Sequence, residues 1–194
     1  MANSDVQIVN MALTGIGSAR ILSLDDDQET ARKCKAVYAL IRDEVLSTYP
    51  WKFASKRQAL AELATAPVFG YENAFQIPSD CLRVVETNLD ANGYKWSREG
   101  DTIVTDQTPM KIKYIQRITD PTKYSSAFVV ALSARLEAEL AFPCTTDATL
   151  AKNKMDIYFK SKLPLAKSMD AQEGNEHTAL ISDGFVDARD SGQI

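Results

Sequence analysis

The chain has 194 residues, 45% of them hydrophobic and 25% charged, with a formal net charge of −4 at pH 7. That suffices for a sizeable core in one domain, or one domain plus a tail, and it excludes wholesale disorder. No apolar run approaches the ~20 residues that cross a bilayer, no secretory signal is expected from Met1-Ala2-Asn3-Ser4-Asp5, and the dispersed Cys34, Cys81 and Cys144 fit reduced, mostly buried thiols rather than a disulfide framework or a zinc site.

The first predicted element is a helix starting at Ser4, with Gln7 three residues on in capping-box spacing. Val6, Val9, Leu13 and Ile16 recur at helical intervals, and Gly15 and Gly17 stop the helix. A second helix is expected to start within Asp25-Asp26-Asp27, where Asp26 and Glu29 again have capping-box spacing. Ala31, Cys34, Tyr38, Ile41 and Val45 form its apolar stripe, flanked by Val37 and Leu40, and Pro50 ends it.

After Trp51 the character changes to short strand-like segments punctuated by glycine and proline. Phe75 and Ile77 alternate ahead of Pro78, and Leu82-Arg83-Val84-Val85 follows a turn at Ser79-Asp80. Trp96 to Thr105 reads as a hairpin with its tip at Glu99-Gly100-Asp101. The cleanest strand is Met110 to Arg117, where Met110, Ile112 and Tyr114 alternate with lysines.

Helix returns after Asp120-Pro121. Ala127, Ala131, Ala134, Ala138 and Ala141 make one stripe and Phe128, Leu132, Leu136 and Leu140 its neighbour, the pattern of a central helix packed on several sides. Pro143 is expected to end it. Thr146 or Asp147 then caps a last helix running through Leu150, Ile157 and Tyr158 towards Met169, with Pro164 expected to kink or break it. Beyond about Gln172 the chain turns polar and acidic. From Ser168 to Ile194 six acids face one base, Arg189, giving about −5 and leaving about +1 for the rest. Leu180-Ile181 and Phe185-Val186 are its apolar pairs. Such a segment is either a terminus too polar to order alone or an arm that docks on a partner.

Catalytic chemistry finds little support. The only histidine, His177, sits in the acidic segment without a positioned setting. Gly15-Ile16-Gly17 lacks the further glycine and preceding strand of a phosphate loop. The run Asp25-Asp26-Asp27 is read as a cap rather than a cation site, and Glu29, Glu44, Glu137 and Glu139 as solvated surface acids. No catalytic residue, metal ligand or cofactor is therefore expected. The alternative function is a carboxylate-based cell-wall glycan hydrolase associated with a phage tail. Trp51 and Phe53 are read as a clamp between helices and sheet. Trp96, with Glu99 and Asp101 at the hairpin, is the candidate subunit or partner interface, with core packing the competing role for Trp96.

Several segments in order carry a resemblance. They are Ile8-Val9-Asn10-Met11-Ala12-Leu13 with Gly15-Ile16-Gly17, then Tyr49-Pro50-Trp51-Lys52-Phe53-Ala54, then Phe75 to Val84 around Pro78-Ser79-Asp80-Cys81-Leu82. Glu99-Gly100-Asp101-Thr102-Ile103, Tyr114 to Pro121, and Phe128 with Ala131 to Ala141 follow. Together, over residues ~5 to 173, they resemble the tail tubular protein A family, the head-to-tail adaptors of short-tailed bacteriophages. The resemblance implies an α+β fold: an antiparallel helical bundle with an inserted small antiparallel β domain and an extended C-terminal tail. In this chain that means N-terminal bundle helices over 1–50, a β-rich insertion over 51–120, C-terminal bundle helices over 121–171 and an acidic docking tail over 172–194. It further implies a homo-oligomeric ring, usually a dodecamer, in the virion neck, assembled in the bacterial cytoplasm. Its partners would be the portal protein, the tail nozzle protein and a tail fibre, with DNA passing through unread and no membrane involved. Leu180, Ile181, Phe185 and Val186 would dock on the portal, and the β domain with Trp96, Glu99 and Asp101 would face the nozzle or a neighbouring subunit.

Overall fold

In the computed structural model, which describes residues 3–174, helix α1 (Asp5–Gly15) opens on the expected capping box. Ser4 Oγ accepts the Gln7 N–H, and Gln7 Oε1 accepts the Ser4 N–H. Helix α2 (Glu29–Thr48) begins later than the acidic run suggests: its N-cap is Gln28, with no side-chain cap. Asp26 instead accepts the N–H groups of Leu22 and Ser23 at 3.1 and 2.9 Å. Asp25 pairs with Lys35, and Asp27 with Arg32. Short acidic side chains that bond nearby backbone compete with helix formation, so these acids build the α1–α2 loop. Helix α2 closes on Tyr49 in extended conformation, as the steric demand of Pro50 on its predecessor requires.

Two antiparallel three-stranded sheets follow. One has the order β1 (Ser55–Ala59), β6 (Lys111–Gln116), β3 (Cys81–Thr87); the other β2 (Asn73–Gln76), β5 (Thr102–Thr105), β4 (Trp96–Glu99). The β4–β5 hairpin turns where the sequence places it, with Glu99 opposite Thr102 and Gly100 at φ +59°, a left-handed conformation that glycine takes without a Cβ clash. The period-two pattern of β6 also holds. Met110, Ile112 and Tyr114 are buried with Phe75, Ile77, Leu89 and Ile103 in a core built from both sheets. Ile115, on the opposite face, belongs to the helical core.

Helix α3 (Ser126–Thr145) starts from Ser125, whose hydroxyl accepts the Phe128 N–H. Contrary to expectation it runs through Pro143 and closes at Thr146, φ 58°. A proline so near the C-terminus removes one intrahelical donor and leaves the last turn standing. Asp147 caps α4 (Ala148–Ile157) by accepting the Leu150 N–H. A π turn (Tyr158–Lys162) then leads straight into α5 (Leu163–Gln172). Pro164 therefore neither breaks nor sharply ends the rod: it sits in the first turn of α5, and the wider π turn accommodates it.

The architecture is α+β: four helices, the last being the α4–α5 rod, pack together, and the two sheets are inserted between α2 and α3. Helix α3 touches α1, α2, α4 and α5 and is buried nearly all round, as its paired stripes predict. The strands, 55–116, fall inside the expected 51–120 insertion. The expected extended tail lies outside the described residues from 175 onward, and with it His177, Leu180, Ile181, Phe185 and Val186.

An aromatic cluster joins bundle and insertion. Trp51 is 0% exposed, its Nε1 donates to the Val45 carbonyl at 2.8 Å, and its ring stands edge-on to Tyr49 and Phe128. Phe53 packs on Phe128 and Tyr124. Trp51 and Phe53 thus pack within the helical core, and the sheet enters that core through Ile115 of β6 rather than through a ring contact with either. Asp170, buried on α5, accepts the Lys52 backbone N–H through both oxygens at 3.3 and 3.2 Å. The end of the rod is thereby tied to the root of the insertion.

Candidate functional site

Groups that acid–base chemistry would use are committed elsewhere. Glu137 pairs with Lys154 at 2.8 Å, Glu29 with Lys33 at 2.6 Å, and Glu44 and Glu139 both hold Arg135, at 3.0 and 2.8 Å. Asp170 is the one described carboxyl that its surroundings push clearly above the usual range, through burial first and then the nearby Glu173. A raised carboxyl is what a general acid needs, but Asp170 is occupied by the Lys52 amide and lines neither of the grooves described below. Burial pushes the Cys34 thiol up to about 11 and also raises Cys81 and Cys144, which suppresses the reactive thiolate. Among the described residues no group of three His, Cys, Asp or Glu side chains could hold a metal ion.

The hairpin residues singled out from sequence do not form one patch. Trp96 lies at the far end of β4 from the tip, opposite Thr105, whereas Glu99 and Asp101 flank the turn. Three residue steps of ~3.4 Å put roughly 10 Å between Trp96 and Glu99 along the strand. Trp96 is half-buried against the sheet core, and its Nε1 donates to Asp90 at 2.8 Å. Burial pushes the Asp90 carboxyl up, but the Thr87 N–H and the Trp96 indole outweigh it and hold that carboxyl below its ordinary value. Glu99 and Asp101 are exposed.

The surface features that stand out are apolar. Val68 and Phe69, at the loop between β1 and β2, are 99% and 88% exposed. Leu40 on α2 is 72% exposed, and Phe159, Leu165 and Met169 on the α4–α5 rod are also open to solvent. Sequence reading missed the Val68-Phe69 pair, although an apolar dipeptide between Pro67 and Gly70 signals a hydrophobic loop tip. It treated Leu40 only as a flank of the buried stripe, and the rod's outer residues as part of one helical pattern.

Two grooves complete the picture. One, of about 650 Å³, runs between α1 and α3 with Met11, Val130 and Ala134 on its apolar side and Arg20 and Lys162 as cations. The other, of about 330 Å³, opens on the β1-β6-β3 sheet beside Arg57, Lys111 and Lys113. No helix among the described residues is long and apolar enough to cross a membrane. In comparisons with known proteins, no family model matches the chain and no curated protein matches it.

Proposed function

We propose that the protein is a structural head-to-tail adaptor of a short-tailed bacteriophage, one copy of a ring that joins the portal to the tail nozzle and walls part of the DNA channel. Its place is the virion neck, and its chemistry is docking rather than turnover. The observation that supports this reading is the presence of exposed large apolar side chains on three different elements: Leu40 on α2, Phe159, Leu165 and Met169 on the rod, and Val68 and Phe69 on a loop of the insertion. A closed ring needs head-to-tail contacts between two unlike faces of each subunit, and a third face for the neighbouring ring of the tail. The order and spacing of the adaptor-like segments from Ile8 to Ala141 support the same reading. The acidic segment with Leu180, Ile181, Phe185 and Val186 is then the arm that reaches the portal, and a tail fibre is a further partner.

The test is mass photometry and negative-stain imaging of the full chain, alone and mixed with purified portal rings. Stacked rings are expected. Phe159→Asp with Leu165→Asp should abolish them while leaving the far-ultraviolet circular dichroism unchanged, and removal of residues after Gln172 should abolish stacking on the portal. A monomer that ignores portal rings under all conditions refutes the reading.

A further inference from the structure

The end of the β1-β6-β3 sheet away from Ile115 and the helical core concentrates positive charge on one face, in a chain whose net charge is −4. Residues directly opposite in an antiparallel pair share a face, and alternate residues of one strand return to it. Arg57 pairs in register with Lys113, Ala59 with Lys111, Glu86 with Lys113, and Arg83 with Ile115. Arg57, Lys111 and Lys113 therefore stand together at the open end of one face, lining a groove in which Glu86 is the single acid, whereas Arg83 lies towards Ile115, where the same face packs into the helical core. Glu86 reaches Lys113 only at 3.9 Å. Arg57 and Lys111 have no ion-pair partner among the described residues. The opposite face of β6 is sealed by the sheet core through Ile112 and Tyr114, so the cations have only this side to act on.

We propose that this face binds the phosphodiester backbone of duplex nucleic acid without sequence preference. Lys111 and Lys113 are spaced about 7 Å along β6, and Arg57 lies one strand away at ~4.8 Å, a strip rather than a point charge. Such a strip suits a line of phosphates, which in a duplex present one charge per ~1.7 Å of axis. No aromatic side chain lines the groove, so it offers no stacking platform for single-stranded bases. No helix projects from it to read base edges in a groove. Ala59 and Ile112 are its only apolar lining residues, too little for the anchor pockets by which acidic peptides dock. The proposal stands on the charge of one sheet face and holds whether or not copies of the chain form a ring.

The test is fluorescence anisotropy of a labelled mixed-sequence duplex titrated with the full chain between 50 and 200 mM salt. Three phosphates neutralised give a slope of about −2.7 in log affinity against log salt, a loss of roughly 40-fold over that range. Arg57→Glu with Lys111→Glu should abolish binding, and Glu86→Gln should tighten it several-fold. Lys152→Glu, an exposed charge reversal on α4, should leave it unchanged, with circular dichroism checking that every variant is folded. Four results overturn the proposal: no binding at 50 mM salt, binding indifferent to the Arg57/Lys111 reversal, equal loss in the Lys152 control, or tighter binding of single-stranded DNA or polyglutamate than of duplex.

Discussion

Replacing Trp51 by alanine should cost the protein about 4 kcal/mol of stability, the middle of the ~3–5 range for deleting a fully buried large aromatic. The side chain is 0% exposed and makes two edge-on ring contacts. Of the total, about 1 kcal/mol belongs to the lost Nε1–H to Val45 carbonyl bond. Trp51→Phe keeps much of the ring packing and loses the donor, so it should cost about 2 kcal/mol. Against the ~5–15 kcal/mol typical of a domain, the alanine variant is a severe lesion. Urea unfolding measured by far-ultraviolet circular dichroism follows the helices, while Trp96, the only other tryptophan, reports the sheets by fluorescence. Both transitions should shift to lower urea together, because Trp51 belongs to the helical core that Ile115 of β6 also enters, next in the strand to Tyr114 of the sheet core. A loss below about 1.5 kcal/mol would mean the indole is not a keystone. A Trp96 transition that stays in place while the helical one moves would mean that bundle and insertion fold independently.

Asp170 gives a pH prediction with a definite sign. Its folded carboxyl titrates above its unfolded counterpart, so the native state binds the extra proton between the two values. That contribution is fully present below about pH 3.9 and is lost as pH rises through the raised folded value. The stability of Asp170→Asn minus that of the wild type should therefore grow with rising pH in chemical denaturation. Asp170→Ala should lose about 1–3 kcal/mol at neutral pH, because the Lys52 N–H loses its acceptor. Arg135→Met should cost about 1–2 kcal/mol, less than a fully buried pair would, since the side chains of Glu44 and Glu139 are 46% and 40% exposed and screened by water; a salt-independent loss would point to packing instead. Val68→Ser with Phe69→Ser should change stability by no more than about 0.5 kcal/mol while lowering self-association in sedimentation velocity. A cooperative destabilisation would show that the loop tip is packed in the folded protein.

Much of the fold was legible because local chemistry and tertiary packing agree. Ser4 and Gln7 cap α1, Gly100 turns the hairpin, and the alternation of Met110, Ile112 and Tyr114 fixes which side of β6 is buried. The failures came where a local signal had two outlets. Asp26 had the spacing of a helix cap but found nearer amides at Leu22 and Ser23. Pro143 signalled a stop, yet its missing donor falls in a turn that α3 can spare. The surface was less legible than the core. Periodicity marks residues that face inward, and nothing in it separates Trp96, half-buried on Asp90, from Phe69, which faces water. The basic sheet face was equally hidden, because Arg57 and Lys111 are far apart in the chain and meet only through strand register.

The π turn in the C-terminal rod acts as a phase shifter. The inward residues run Tyr158, Leu163, Ala166, Asp170, with steps of five, three and four, and an unbroken α-helix offers only threes and fours. The single long step resets the angular position of everything after it. Deleting one residue between Phe159 and Lys162 would restore a regular helix with the same inner face, yet draw α5 back by about 1.5 Å. Asp170 would then fall short of the Lys52 amide by half the length of a hydrogen bond. Chain length within this turn is thus matched to the reach of the rod, and the latch between the two ends of the fold depends on a count rather than on any one side chain.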